Sequence, residues 1–255
     1  MLKRFLSLLL ACSLLLCALP ALGESAEERG MLHARDVLNP LGFDLSDECV
    51  AGAVAHYREM EQIYRQSSFF DALTPDLATC AYLLLMQEGM GKFDPETFAW
   101  SPSSDKIYVF DAEFFNIEGM YTEFLTGVQA IVVDGEFTDV TEDLSGMTVE
   151  WDEATWSDGH RTVAFRLNGQ PYDIRLTSYG DWLNMDILPF LNAALKKEGC
   201  AAQLHCVSDE FDQIVFLIYG DAKTASVLRQ ILGVPQPEPE GGGSLLDWLG
   251  GLFGG

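Results

Sequence analysis

Between Glu24 and Gly91 apolar residues recur at helical spacing, and beyond residue 105 short runs that alternate every second residue take over. The first period predicts three helices. One runs from Ser25 to Leu38 and stops before Asn39-Pro40. The second takes Ser46 as its N-cap, carries Asp47 and Glu48 at its positive end, and lines up Val50, Val54, Tyr57, Met60 and Tyr64 on one face. The third takes Thr74 as cap and Pro75 as first helical residue and ends at Gly89 or Gly91. Its stretch Leu77 to Met86 is apolar nearly all round, which predicts the buried helix of this half.

Ser101-Pro102-Ser103-Ser104-Asp105 reads as an internal joint. After it come a strand over Lys106 to Phe110 and a helical face made of Phe114, Ile117, Tyr121, Phe124, Val128 and Ile131, despite Gly119 and Gly127. Strands are predicted over Glu136 to Glu142 and Met147 to Trp151. The clearest local signal is the stretch from Thr162 to Leu176, where Asn168-Gly169 favours a type I′ turn between two alternating runs. A two-residue turn there pairs Leu167 with Gln170, Phe165 with Tyr172 and Val163 with Ile174. A helix from Asp186 to Glu198, strands over Ala201 to Val207 and Gln213 to Tyr219, and a helix capped by Asp221 and closed by Gly233 complete the reading. No βαβ rhythm is present, so the expected class is α+β: an N-terminal helical segment followed by an antiparallel sheet with helices packed on one face.

Five segments follow from these shifts: a signal peptide over 1–23, a helical region over 24–100, an antiparallel α+β domain over 106–233, a Pro/Gly-rich linker over 234–243 and an apolar tail over 244–255. The first has Lys3 and Arg4, an apolar run from Phe5 to Leu19, Pro20, and Ala21-Leu22-Gly23 before Glu24. It predicts export, with cleavage near Gly23 and a secreted or extracytoplasmic location. No later segment reaches the roughly 20 apolar residues of a transmembrane helix. In the tail, Leu245, Leu246, Trp248, Leu249, Leu252 and Phe253 make most of the surface apolar, which predicts a short helix docking into an apolar groove on a protein partner or on its own domain.

Charge narrows the partners. The formal charge of −24 becomes −26 once Lys3 and Arg4 are removed, and such a surface repels nucleic acid and anionic lipid. Cationic or neutral ligands remain. Four cysteines survive cleavage. Cys200 and Cys206 lie on one predicted strand, about 20 Å apart, and Cys49 and Cys80 on consecutive helices, offset by about 16 Å. Neither local pair can be bridged, so packed thiols are expected.

Phosphate-binding GxxxxGK[ST], dinucleotide GxGxxG, GxSxG, CxxC and HExxH motifs are all missing, and no cofactor is expected. His33, His56, His160 and His205 are scattered, and no metal site is expected from them. Residues 107 to 160 hold thirteen acidic side chains and no Lys or Arg, densest from 134 to 158. Calcium takes carboxylate oxygens, but the spacing is not that of an EF-hand, and the run reads as a solvated face. Within it Trp156, flanked by Asp152, Glu153 and Asp158, is a candidate for stacking on a sugar ring or a cation.

One catalytic arrangement stands beside these. Cys49 falls in a first helical turn, where the helix dipole favours a thiolate, and His160 follows on a predicted strand. That order resembles the papain type of cysteine peptidase, and the resemblance implies a thiol hydrolase with Cys49 as nucleophile and His160 as base. The surrounding Ser46-Asp47-Glu48-Cys49-Val50 lacks the family's glycine- and tryptophan-rich context, and Asp47 and Glu48 oppose a thiolate by like charge. The leading expectation is therefore a non-catalytic binding or interaction module, with the thiol hydrolase as the alternative.

Overall fold

The structure, a computed structural model, describes residues 24–66, 73–96, 99–114, 116–148, 158–208 and 213–236. Residues 1–23, read above as a signal peptide, the apolar tail and all but the first residues of the Pro/Gly-rich stretch lie outside the described residues. Helix α1, Ala26–Leu38, is capped by Ser25, whose Oγ accepts from Glu28 N at 3.2 Å. In α2, Asp47–Gln66, Ser46 Oγ accepts from Cys49 N at 3.1 Å. The start of α3, Leu77–Gly89, differs from expectation. Asp76 takes the cap, accepting from Thr79 N at 2.8 Å, while Thr74 only donates to the Asp76 carboxylate at 3.3 Å. An ionised carboxylate outcompetes a hydroxyl for the exposed N–H groups, and that bond holds the Asp76 carboxyl below its usual range.

The rest of the chain runs β1 (Lys92–Asp94), β2 (Ala99–Ser101), β3 (Ile107–Asp111), α4 (Met120–Ile131), β4 (Phe137–Asp143), β5 (Met147–Thr148), β6 (Asp158–Leu167), β7 (Gln170–Thr177), α5 (Ile187–Lys197), β8 (Gln203–Cys206), β9 (Ile214–Gly220) and α6 (Ala222–Leu232). Strands β1 and β2 pair immediately before the predicted joint, which begins at the last residue of β2. Strand β9 lies between β3 and β8, while β6 pairs with β7 along one side and with β4 and β5 along the other, every pair antiparallel. The fold is α+β, with N-terminal helices followed by antiparallel sheets.

Two cores meet at β3 and β9. Ile107, Val109, Phe216 and Ile218 face the N-terminal helices and α6, packing with Met31, Leu38, Val50, Leu84 and Leu228. Tyr108, Phe110, Val215 and Leu217 face the other way, toward α4, α5 and the inner side of β6. The three-stranded sheet is thus covered on both faces, and four successive residues of β3, Ile107 to Phe110, are buried. The sheet built on β6 carries helices on one face only. Helix α4 begins six residues later than the 3–4 spacing from Phe114 suggested; Phe114 and Ile117 line the core from the preceding loop.

The β6–β7 hairpin has the predicted register, with Leu167 opposite Gln170, Phe165 opposite Tyr172 and Val163 opposite Ile174. Asn168 and Gly169 take φ of 51° and 80°. A Cβ on Gly169 would meet nothing within 4 Å, so any penalty there is backbone strain alone. Gly169→Val is expected to cost about 1–3 kcal/mol, whereas Gly169→Asn, whose residue tolerates positive φ, is expected to stay near wild type. Thermal melts of the two variants check this; equal melting temperatures would contradict the turn assignment.

Candidate functional site

The two members of the proposed thiol pair occupy different neighbourhoods. Cys49 is buried in the helical core, and its Sγ donates to Leu84 O at 3.5 Å. Burial, with Glu88 adding to it, pushes the thiol up to about 11, so desolvation outweighs the helix-start position that favours a thiolate. His160 lies on β6 opposite Thr177, and no hydrogen bond joins it to Cys49. All four described cysteines are free.

Of the proposed ligand-binding cluster, Trp156, Asp152 and Glu153 lie outside the described residues. Asp158 opens β6 opposite Thr148. Four described members of the acidic run turn to separate partners. Asp134 accepts from Tyr219 OH and from Ala201 N, Asp139 pairs with Arg166 at 3.2 Å, Glu142 with Arg161 at 2.8 Å, and Asp143 accepts from Ser145 N at 2.9 Å. Among the described residues no group of three or more His, Cys, Asp or Glu side chains is placed to hold a metal ion. No described helix is long and apolar enough to cross a membrane. The tail residues Leu245, Leu246, Trp248, Leu249, Leu252 and Phe253 fall outside the described residues.

A different surface gathers carboxylates and aromatic rings. At the end of β3 the chain leaves the sheet and Glu113 forms a β-bridge with Trp182, which is also bridged to Tyr179. Phe114 N donates to Asp181 O at 2.7 Å and Leu183 N to Ala112 O at 2.8 Å, so the loop after β7 is stitched to the end of β3. Gly180, at φ 71°, supplies the tight turn between Tyr179 and Trp182. Both rings stay open to solvent, Tyr179 at 38% and Trp182 at 43% exposure. On the same rim Gln213 Nε2 donates to Asp111 at 3.1 Å and to Glu113 at 2.8 Å, and Glu113 N donates to Asp111 at 2.9 Å.

Electrostatically this rim is strained. The negative charge of Asp181, then partial desolvation, a hydrogen bond to Asp181 and the charge of Asp111 raise the Glu113 carboxyl above its ordinary value. None of the three carboxylates takes part in an ion pair among the described residues. The nearest signal in the sequence was Tyr179 and Trp182 in a polar turn; nothing local tied them to Glu113. Strand β6 begins beside this rim, since Ser178 N donates to Gly159 O at 2.9 Å. Comparison with protein-family models, with curated proteins and with solved structures finds no match.

Proposed function

We propose that this chain is an exported, non-catalytic binding protein that takes up a cationic group on the rim formed by Asp111, Glu113, Asp181, Tyr179 and Trp182. The observation that carries the reading is the backbone bridge that sets Glu113, joined to Asp111 through Gln213, against the Tyr179–Trp182 turn with its carboxylate Asp181 and its two solvent-open aromatic rings. Two adjacent carboxylates repel each other, and a cation between them relieves that repulsion. Aromatic faces add attraction for an ammonium or guanidinium group. The acidity of the chain as a whole raises the local concentration of cations. Export is supported by the basic, apolar and small-residue order of residues 1 to 23.

Tetramethylammonium and tert-butyl alcohol serve as charged and uncharged probes. The cation is expected to shift the Trp182 indole N–H resonance saturably, at a millimolar affinity of the order that cation–π contacts support; the alcohol is not. Glu113→Gln and Asp181→Asn should each weaken the effect, and Trp182→Ala should abolish binding, without loss of the melting transition. Because the Glu113 carboxyl is raised, affinity should fall with decreasing pH through a midpoint above that of an ordinary glutamate. The same sign governs stability: the ionised form is the disfavoured one, so Glu113→Gln should hold or raise the melting temperature at neutral pH. Identical responses to the charged and uncharged probes would remove the basis for the proposal.

A further inference from the structure

We propose that two copies of this chain pair edge to edge through β7, forming one continuous sheet about a two-fold axis at Ile174. Among the described residues β7 pairs only with β6, so its outer edge is open. The two-residue turn makes 167 and 170 a hydrogen-bonded pair. From there the backbone groups of 170, 172, 174 and 176 are directed to β6, and those of Pro171, Asp173, Arg175 and Thr177 point outward. An antiparallel mate centred on Ile174 sets Asp173 opposite Arg175 of the second copy and the reverse. Both are hydrogen-bonded pairs, and together they satisfy the outward N–H and C=O groups of all four residues. The paired stretch is bounded at its ends. Pro171 has no N–H, and the Thr177 carbonyl already accepts from Asn184 Nδ2 at 3.1 Å.

Charge selects the same register. Asp173 and Arg175 are both exposed on the solvent face of the sheet, and neither has an ion pair among the described residues. A two-fold centred on residue 173 or 175 opposes like charges, and one centred on 172 or 176 loses bonds to Pro171 or Thr177. Only the register at 174 places each carboxylate against a guanidinium and keeps the backbone paired. The inner face agrees. Tyr172 and Ile174 are half-buried against the core under this edge, Tyr172 beside Phe190 of α5 with Lys197 over its ring. In the paired sheet Ile174 meets its own mate, which covers half-buried apolar surface at the centre of the seam.

Sedimentation velocity of the chain from Glu24 onward, over roughly micromolar to millimolar concentration, should show the mass double as concentration rises. Added salt should strengthen association, because it screens the repulsion between two strongly acidic bodies. Arg175→Asp and Asp173→Arg, each at an exposed position, should keep the wild-type melting temperature and weaken self-association by about tenfold or more. Mixing these two variants should restore a dimer of one chain of each, since every 173–175 contact then joins opposite charges. A wild type that stays monomeric throughout would overturn the proposal and leave Pro171 and the edge charges as protection against strand pairing. A dimer equally strong in wild type and both variants would overturn it too, by placing the interface elsewhere.

Discussion

Replacing Glu142 with alanine is expected to cost about 3–5 kcal/mol, a large share of the stability of an ordinary domain. The Arg161 and Glu142 side chains are 1% and 4% exposed, and Arg161 Nη1 donates to Glu142 Oε2 at 2.8 Å. The same nitrogen donates to Ile117 O at 2.7 Å, and the guanidinium carbon lies 5.2 Å from the centre of the Tyr121 ring. Glu142 Oε1 accepts from Thr122 N at 2.8 Å and Thr122 Oγ1 at 2.9 Å, and so caps α4 from β4, where Gly119 offers no side chain. Arg161 Nη2 is already buried without a partner among the described residues. Removing Glu142 leaves the guanidinium charge uncompensated in the interior and uncaps the helix in one step. Urea unfolding of Glu142→Ala, Arg161→Met and their combination separates these effects. The double variant should be far more stable than the sum of the singles implies, because apolar replacement of a whole buried pair is close to neutral. Glu142→Gln, which keeps an acceptor for Thr122, should fall between Glu142→Ala and wild type. A loss below about 1 kcal/mol for Glu142→Ala would mean that water reaches the pair.

Features set within a few residues were legible in the sequence. The hairpin register followed from Asn168-Gly169 and period-two alternation, and Ser25, Ser46, Asp221 and Gly233 marked helix ends through hydroxyl, carboxylate and left-handed backbone chemistry. Features set by tertiary packing were not. The spacing of Phe114 and Ile117 mimicked a helical face because a core-lining loop leads into the real helix. Glu142 was indistinguishable from its solvated acidic neighbours until β6 brought Arg161 against it. Glu113 and Asp181 are far apart in the chain, and only the bridge from Glu113 to Trp182 places them together. At Cys49 the local rule and the tertiary environment point in opposite directions, and burial prevails.

Gly127→Ala is expected to destabilise by up to about 3 kcal/mol, although alanine in place of a mid-helix glycine ordinarily gains about 1 kcal/mol. The reason lies across the core in β3. A Cβ at residue 127 would sit 2.3 Å from Tyr108 Cζ and 2.4 and 2.5 Å from the two Cε atoms, well inside contact distance. The ring has little room to retreat. It is buried, stacks on Phe110 at 4.8 Å between centroids, and has Trp100 at 5.5 Å and Phe124 at 6.1 Å. Helix α4 can approach β3 this closely only because residue 127 has no side chain, so either the helix must lift or the aromatic cluster must repack. Tyr108→Leu removes the obstructing ring and should itself cost several kcal/mol through lost packing. On that background Gly127→Ala should become neutral or stabilising, since only the helix-propensity gain is left. Denaturant unfolding of the two single variants and the double variant measures this reversal of sign. A stabilising Gly127→Ala in the wild-type background would show that the Tyr108 ring moves freely and that the contact between α4 and β3 is loose.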